Sequence, residues 1–292
     1  MSDKNIFYNF LSIDFKNYEM LLSEKLSPTQ YLKYDDNNIE VFYILNKWES
    51  DFFKRKFYRI DKISFSTVAS KKDLMDSISN FCQTLHESDD GEIILHAEIP
   101  TEDNVLLQKM NLAGFRVVES RLHFIIKNLK DYEQPRHKVR KASEADFSKL
   151  SKVVEGMINQ YDRTNSAIDF SKEESGRYLV KFLENSIKKE ICDFTLMPDS
   201  NDGKDMAFLS FSVKEDLGVK YALLPYGAVM SSTNKGWYKK LISELVYCAK
   251  DAGCEFAAMT TQVNNYAVHK SLMDLGFRIG RSTHVLYFNS KD

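Results

Sequence analysis

Two stretches of this 292-residue chain combine residue types suited to holding an anion or moving a proton. In the first, Tyr221 to Met230 is a nearly unbroken apolar run that contains Pro225 and Tyr226. The polar residues Ser231 to Gly236 follow, and then Trp237, Leu241, Leu245 and Ala249 recur at the spacing of one helix stripe. That pattern predicts a buried strand, a short loop and an amphipathic helix pressed on a core. The first turn of such a helix has backbone N–H groups without partners and carries partial positive charge. Residues Ser232 to Lys239 would present those donors, and Lys235, Lys239 and Lys240 add full charges, so a pyrophosphate suits the place. Pro225 removes one ladder hydrogen bond and marks a bulge or a point where the strand leaves its neighbour. In the second stretch, Asn264, Asn265, Tyr266 and His269 open a short helix that ends at Leu275-Gly276-Phe277. An imidazole ordinarily titrates near neutrality, so His269 is a candidate acid or base; the alternative is a histidine that only packs.

These residues carry a resemblance. Val229, then Thr233-Asn234-Lys235-Gly236-Trp237-Tyr238, resembles the acyl-CoA pyrophosphate loop of the GNAT superfamily of N-acyltransferases. Asn234 stands where a glycine is common, and Tyr238 replaces the last small residue. The later order of strand, Asn-x-x-Ala, short helix, Leu-Gly-Phe and strand is similar to the end of that family's fold, over roughly residues 137 to 292. The resemblance implies an acyl-CoA donor, with Val229, Met230, Ser231, Thr233, Asn234, Lys235, Gly236, Trp237, Tyr238, Lys239 and Asn265 as its contacts. It also implies that the strand splays from its neighbour near Val229, where a free N–H meets the thioester carbonyl or the pantetheine arm. The family's usual general acid is a tyrosine, and the matching position here is Leu272. No carboxylate lies in Tyr221 to Met230, so the Tyr226 phenol is the nearest polar group. Catalysis is therefore expected to rest mainly on positioning, with His269 and Tyr226 as the candidate catalytic side chains.

Composition sets the outer limits. The chain is 43% hydrophobic and 28% charged with a net charge of −2, an ordinary globular balance that disfavours a general nucleic-acid or membrane surface. No apolar run approaches the roughly 18 residues of a membrane helix. The start, Met1-Ser2-Asp3-Lys4-Asn5, lacks the features of a signal peptide, so a cytoplasmic protein is expected. Cys82, Cys192, Cys248 and Cys254 lack ligand spacing, so no metal and reduced thiols are expected. Fifteen Tyr and 20 Phe suit both cores and stacking on sugars or bases.

Elements are legible along most of the chain. Part of Asn5 to Leu22 reads as helix and Ile39 to Leu45 as strand. Lys47-Trp48-Glu49-Ser50-Asp51-Phe52-Phe53-Lys54 resembles the Trp-Asp-Ser-x-Phe-Phe-Gly segment of the dTDP-fucosamine acetyltransferase branch of GNAT enzymes, with Glu49 for the Asp and Lys54 for the Gly. A structural aromatic cluster is the alternative. Ser70 caps a helix to His86, Glu92 to Ile99 is a strand, a helix runs to Leu112, and Arg116 to Ile126 is a strand. Ser143 and Asp146 form a capping box for a helix reaching Gln160, and a second helix occupies Ser171 to Lys189. Between them, Tyr161, Asp162 and Arg163 are candidate acceptor contacts or a solvated loop. Strands follow at Ile191 to Met197 and Met206 to Val213.

Gly114-Phe115-Arg116 and Gly276-Phe277-Arg278 open two similar strands, an offset from 114 to 276 of 162 residues, each after a strand and a short helix. The repeat predicts tandem GNAT-like units of mixed α/β (α+β) class, each a splayed mixed sheet with flanking helices. Residues 1–130 form the degenerate structural or acceptor-binding unit, and 137–292 the acyl-CoA-binding catalytic one. The resemblance implies transfer of an acetyl or 3-hydroxybutanoyl group from acyl-CoA to the amino group of a dTDP-linked amino-deoxysugar. Tyr161, Arg163, Trp48 and Phe52 would contact that acceptor, and the reading allows a homodimer. The alternatives are acylation of a protein or peptide amine, and a non-catalytic acyl-CoA sensor.

Overall fold

The computed structural model describes residues 31–36, 38–65, 70–89, 91–156, 162–199, 206–216, 218–230 and 236–291. In chain order the elements begin with β1 (Leu32–Asp35), β2 (Ile39–Leu45), α1 (Lys47–Phe53), β3 (Lys56–Phe65), α2 (Lys71–Ser88), β4 (Ile93–Pro100), α3 (Asn104–Leu112) and β5 (Arg116–Lys127). Next come β6 (Val139–Lys141), α4 (Phe147–Glu155), α5 (Arg163–Ser166), α6 (Lys172–Ile187), β7 (Phe194–Pro198), β8 (Ala207–Asp216) and β9 (Val219–Leu223). The last are β10 (Gly227–Val229), α7 (Trp237–Asp251), β11 (Phe256–Gln262), α8 (Tyr266–Asp274) and β12 (Arg278–Asn289).

Local chemistry explains most of these ends. Ser70 and Asp73 form a reciprocal capping box at α2, Ser171 and Glu174 do so at α6, and Asp103 caps α3. The box expected at Ser143 and Asp146 is present, but it closes a 3-10 turn, and α4 begins only at Phe147. That helix stops at Glu155 rather than at Gln160, and residues 157–161 lie outside the described residues, as does the helix expected in Asn5 to Leu22. Residues 47–53 are a helix that periodicity did not signal, because the run is only seven residues long. Asn46 caps it, and Lys54 ends it at φ 57°, in the left-handed region. The resembling segment has a glycine there, the residue that adopts this backbone most readily.

The chain divides into two compact units. The first comprises the described parts of 1–121, 166–169 and 281–292. Its strands run in the order β1-β2-β3-β4-β12, with β3 parallel to β4 and the other neighbours antiparallel. Leu74, Ile78, Phe81, Cys82 and Leu85 of α2 pack on Val41, Ile60, Leu95 and Ala97. Burying each of the larger side chains contributes about 1.5–3 kcal/mol.

The second unit comprises 122–165 and 170–280. Leu122–Lys127 of β5 stands beside β11, and the order continues β11-β9-β8-β7-β6. Only β11 and β9 are parallel among the pairs with β9, β8, β7 and β6. Leu241, Ile242, Leu245 and Val246 of α7 pack on Leu209, Phe211, Ala222, Leu224, Ala257 and Met259. Residues on both sides of Pro135 strap onto the same helix: Tyr132 Oη meets Ser243 Oγ at 3.0 Å, and Arg136 pairs with the buried Glu244 at 3.0 Å.

The two copies of the repeated segment have exchanged places relative to chain order. The second half of the strand after Gly114-Phe115 belongs to the second unit, and most of the strand after Gly276-Phe277 belongs to the first, paired with β4 from Thr283↔Pro100 to Asn289↔Ile94. Similar strands present similar edges, so long-range packing decides which sheet each one completes.

Candidate active site

The site grows from a break in one strand. β9 pairs in parallel with β11 from Tyr221↔Phe256 to Leu223↔Ala258, and Leu224 N donates to Ala258 O at 3.1 Å. At Pro225 the chain turns away, and β10 pairs only with β8, Gly227↔Leu209 to Val229↔Ala207. Its register on β8 is displaced by one residue from that of β9, where Ser212 faces Leu223. Pro225 therefore marks both a bulge and a departure, because it has no N–H to continue the ladder.

The ladder also fixes where the backbone of β10 points. Ser210 N donates to Tyr226 O at 2.7 Å, and Met230 N donates to Met206 O at 2.9 Å. Antiparallel pairs alternate between hydrogen-bonded and non-bonded positions. The N–H groups of Gly227 and Val229 consequently face away from β8, on the side where pairing with β11 has ended. Gly227 is also a close-approach position: a Cβ there would lie 2.4 Å from Leu209 Cδ1 and 2.9 Å from Phe208 O.

The chain then enters α7. Ser231, Thr233, Asn234 and Lys235 lie outside the described residues. Gly236 caps the helix at φ 90°, a left-handed conformation that favours glycine. Trp237, Tyr238 and Lys239 form the first turn, all half-buried. Burial pushes the Tyr238 phenol well above its ordinary range. Lys239 pairs with Asp274 at 3.0 Å, and Lys240 Nζ sits 4.6 Å from the centre of the Trp237 ring. The helix start thus keeps its cations, held by neighbours on the same unit.

The remaining expected residues occupy three places. Asn265 stands at the N-cap position of α8 without a side-chain cap, and its Nδ2 donates to Thr261 Oγ1 at 3.1 Å. His269 is buried, with Nε2 2.8 Å from Gln262 O and its ring 5.3 Å from that of Phe124. Tyr226 lies on the opposite face of the sheet from α7: its ring meets Phe182 of α6 at 5.0 Å and Phe208 at 5.3 Å, and its Oη donates to Leu179 O at 3.2 Å. Burial, with a smaller push from the Asp162 carboxylate, raises this phenol far above its ordinary value, so it holds its proton.

Asp162 and Arg163 are drawn to the same region. Asp162 Oδ1 accepts from Thr164 N at 3.0 Å and Thr164 Oγ1 at 2.6 Å, and Arg163 Nη2 donates to Tyr178 Oη at 2.6 Å. Tyr161 lies outside the described residues. Trp48 and Phe52 are on α1 in the first unit, half-buried, their rings stacked at 6.1 Å. The structure therefore gathers Tyr226, Asp162 and Arg163 around α6, and keeps His269 with Asn265 on the α8 side. Among the described residues no three His, Cys, Asp or Glu side chains gather as a metal site, and no helix is long and apolar enough to cross a membrane.

Solved structures share this architecture. A GCN5-related N-acetyltransferase from Kribbella flavida matches 95% of this chain and 96% of its own, with a TM-score of 0.54 at 12% identity. The chain has the GNAT fold. A functionally unknown conserved protein from Staphylococcus epidermidis matches 95% of this chain and 98% of its own, with a TM-score of 0.55 at 12% identity. A GCN5-related glucosamine N-acetyltransferase region of a fungal multi-domain GH3 beta-N-acetylglucosaminidase matches 86% of this chain and 31% of its own, with a TM-score of 0.56 at 11% identity. No protein-family model and no curated protein matches the sequence.

Proposed function

We propose that the protein is an acyl-CoA-dependent N-acyltransferase whose acceptor is the amino group of a nucleotide-linked amino-deoxysugar. The observation that carries the reading is the strand break at Pro225, which turns the Gly227 and Val229 N–H groups away from β8 just before the chain enters α7. Donors fixed in that way suit the carbonyl oxygen of a thioester, where negative charge grows as an amine attacks. The start of α7, with Gly236, Trp237, Tyr238 and Lys239 and the preceding Ser231, Thr233, Asn234 and Lys235, suits the pyrophosphate of CoA. Asn265 is a further candidate contact of the CoA. Two substrates held in this geometry gain most of their rate from juxtaposition.

The amino-sugar acceptor rests on two likenesses. One is the segment Trp48 to Lys54, and the other is the glucosamine acceptor named for the fungal neighbour. Arg163 is the proposed acceptor contact in the second unit, and Tyr226, which keeps its proton, is a donor rather than a base.

The test is free-thiol release from acetyl-CoA and 3-hydroxybutanoyl-CoA against a panel of dTDP-amino sugars, with CoA binding measured separately by calorimetry. Turnover with one donor and acceptor pair is the expected result. Turnover only with peptide amines would replace the sugar acceptor. Absence of CoA binding would overturn the whole reading.

A further inference from the structure

We infer that Thr260 and His123 form a proton relay at the mouth of the strand break, Thr260 touching the reacting amine and His123 acting through it. This rests on the acyltransferase reading above. Thr260 Oγ1 lies 2.8 Å from His123 Nδ1. Both belong to the second unit, on neighbouring strands β11 and β5. Thr260 is two residues past Ala258, the last residue of β11 paired with β9, and it is exposed where its neighbours Met259 and Thr261 are buried. The opening therefore reaches its hydroxyl.

The face is also the appropriate one. Ala257 and Met259 pack in the core under α7, so Thr260 projects from the opposite side by strand alternation. Leu209 packs under α7 as well, and Phe208 points the other way to meet Tyr226. Tyr226 and Thr260 thus project from the same face of the sheet. His123 is 4% exposed, so its imidazole is sheltered while the threonine meets solvent. No sequence spacing signals this pair, whose members lie 137 residues apart.

The chemistry balances without any further reactant. The amine nitrogen bonds to the carbonyl carbon and gives one proton to Thr260 Oγ1, which passes its own to His123 Nδ1. The C–S bond then breaks, the sulfur takes the electron pair, and the proton returns along the same route to the thiolate. An amide and a free thiol are the products.

Thr260→Val tests the relay, because valine keeps the β-branched shape at an exposed strand position and removes only the hydroxyl. The expected result is a kcat loss of about 100-fold or more, the usual scale of a positioned proton acceptor, with the acyl-CoA KM unchanged and the protein still folded, its melting temperature lowered only by the hydrogen bond that buried His123 loses. Thr260→Ser should recover most of that loss. His123→Gln should match Thr260→Val in kcat, and its melting curve reports whether it folds. Wild-type rates in Thr260→Val would overturn the relay and leave the acyltransferase reading standing. Acyl-CoA binding without turnover in the wild-type protein, on sugar and peptide amines alike, would overturn both.

Discussion

Replacing Gly227 by alanine should destabilise the protein and weaken acyl-CoA binding together, for a steric reason. The new Cβ would lie 2.4 Å from Leu209 Cδ1 and 2.9 Å from Phe208 O. Carbon atoms prefer about 3.5–4.0 Å, so one of the two strands must shift. Leu209 is completely buried, so its side chain can turn only against other core atoms. The backbone oxygen cannot turn at all. Overpacking of this kind costs about 1–3 kcal/mol. The alanine also removes freedom from the unfolded chain, which offsets about 0.4–1 kcal/mol. Taken at the middle of both ranges the net cost is about 1.3 kcal/mol; for a unit of this size each kcal/mol moves the melting temperature by about 2–4 °C, so a fall of about 3–5 °C is expected. Leu209→Val deletes the offending Cδ1, so the double variant should be more stable than the two single effects predict, with a coupling of about 0.5–3 kcal/mol. Thermal melts of the four proteins, with calorimetry of CoA binding, complete the cycle. A Gly227→Ala protein that melts and binds CoA like the wild type would refute the close packing of β10 on β8.

Two further predictions follow from buried or capped carboxylates. Glu244→Ala removes the acceptor of the His137 N–H and the partner of Arg136, and should cost about 1–3 kcal/mol in urea unfolding; Glu244→Gln, which keeps an acceptor, should cost less. The Arg140 guanidinium, followed by the Ser143 N–H and hydroxyl, holds the Asp146 carboxyl well below its ordinary value of 3.8. A carboxyl depressed on folding contributes stability above its unfolded value and loses it as pH falls toward the folded one. The melting difference between wild type and Asp146→Asn should therefore be constant from about pH 5 to 8 and shrink as pH falls below about 4; a difference that grows in acid would refute the Asp146–Arg140 pairing.

The sequence by itself determined the elements whose causes are local. An apolar stripe with the Ser70 cap located α2, a stripe alone located α7, a helix was legible from Ser171 onward, and the run from Ile39 to Leu45 is the strand it reads as. Pro225 announced the strand break, because a missing N–H is a property of one residue wherever the chain folds. The partial glycine loop and the Asn-x-x-Ala segment pointed to the fold that solved structures share. Tertiary structure alone decided the rest. It chose which unit receives each of the two similar strands, a choice made by packing across more than a hundred residues of sequence. It buried His269 against Gln262 O, drew Asp162 toward Tyr226, and tied Lys239 to Asp274. It also brought His123 to Thr260, on strands that the repeat had assigned to different units. Caps, turns and stripes are encoded within a few residues, so they can be read in order. Side-chain pairs across a sheet depend on strand order, which no short window of sequence contains.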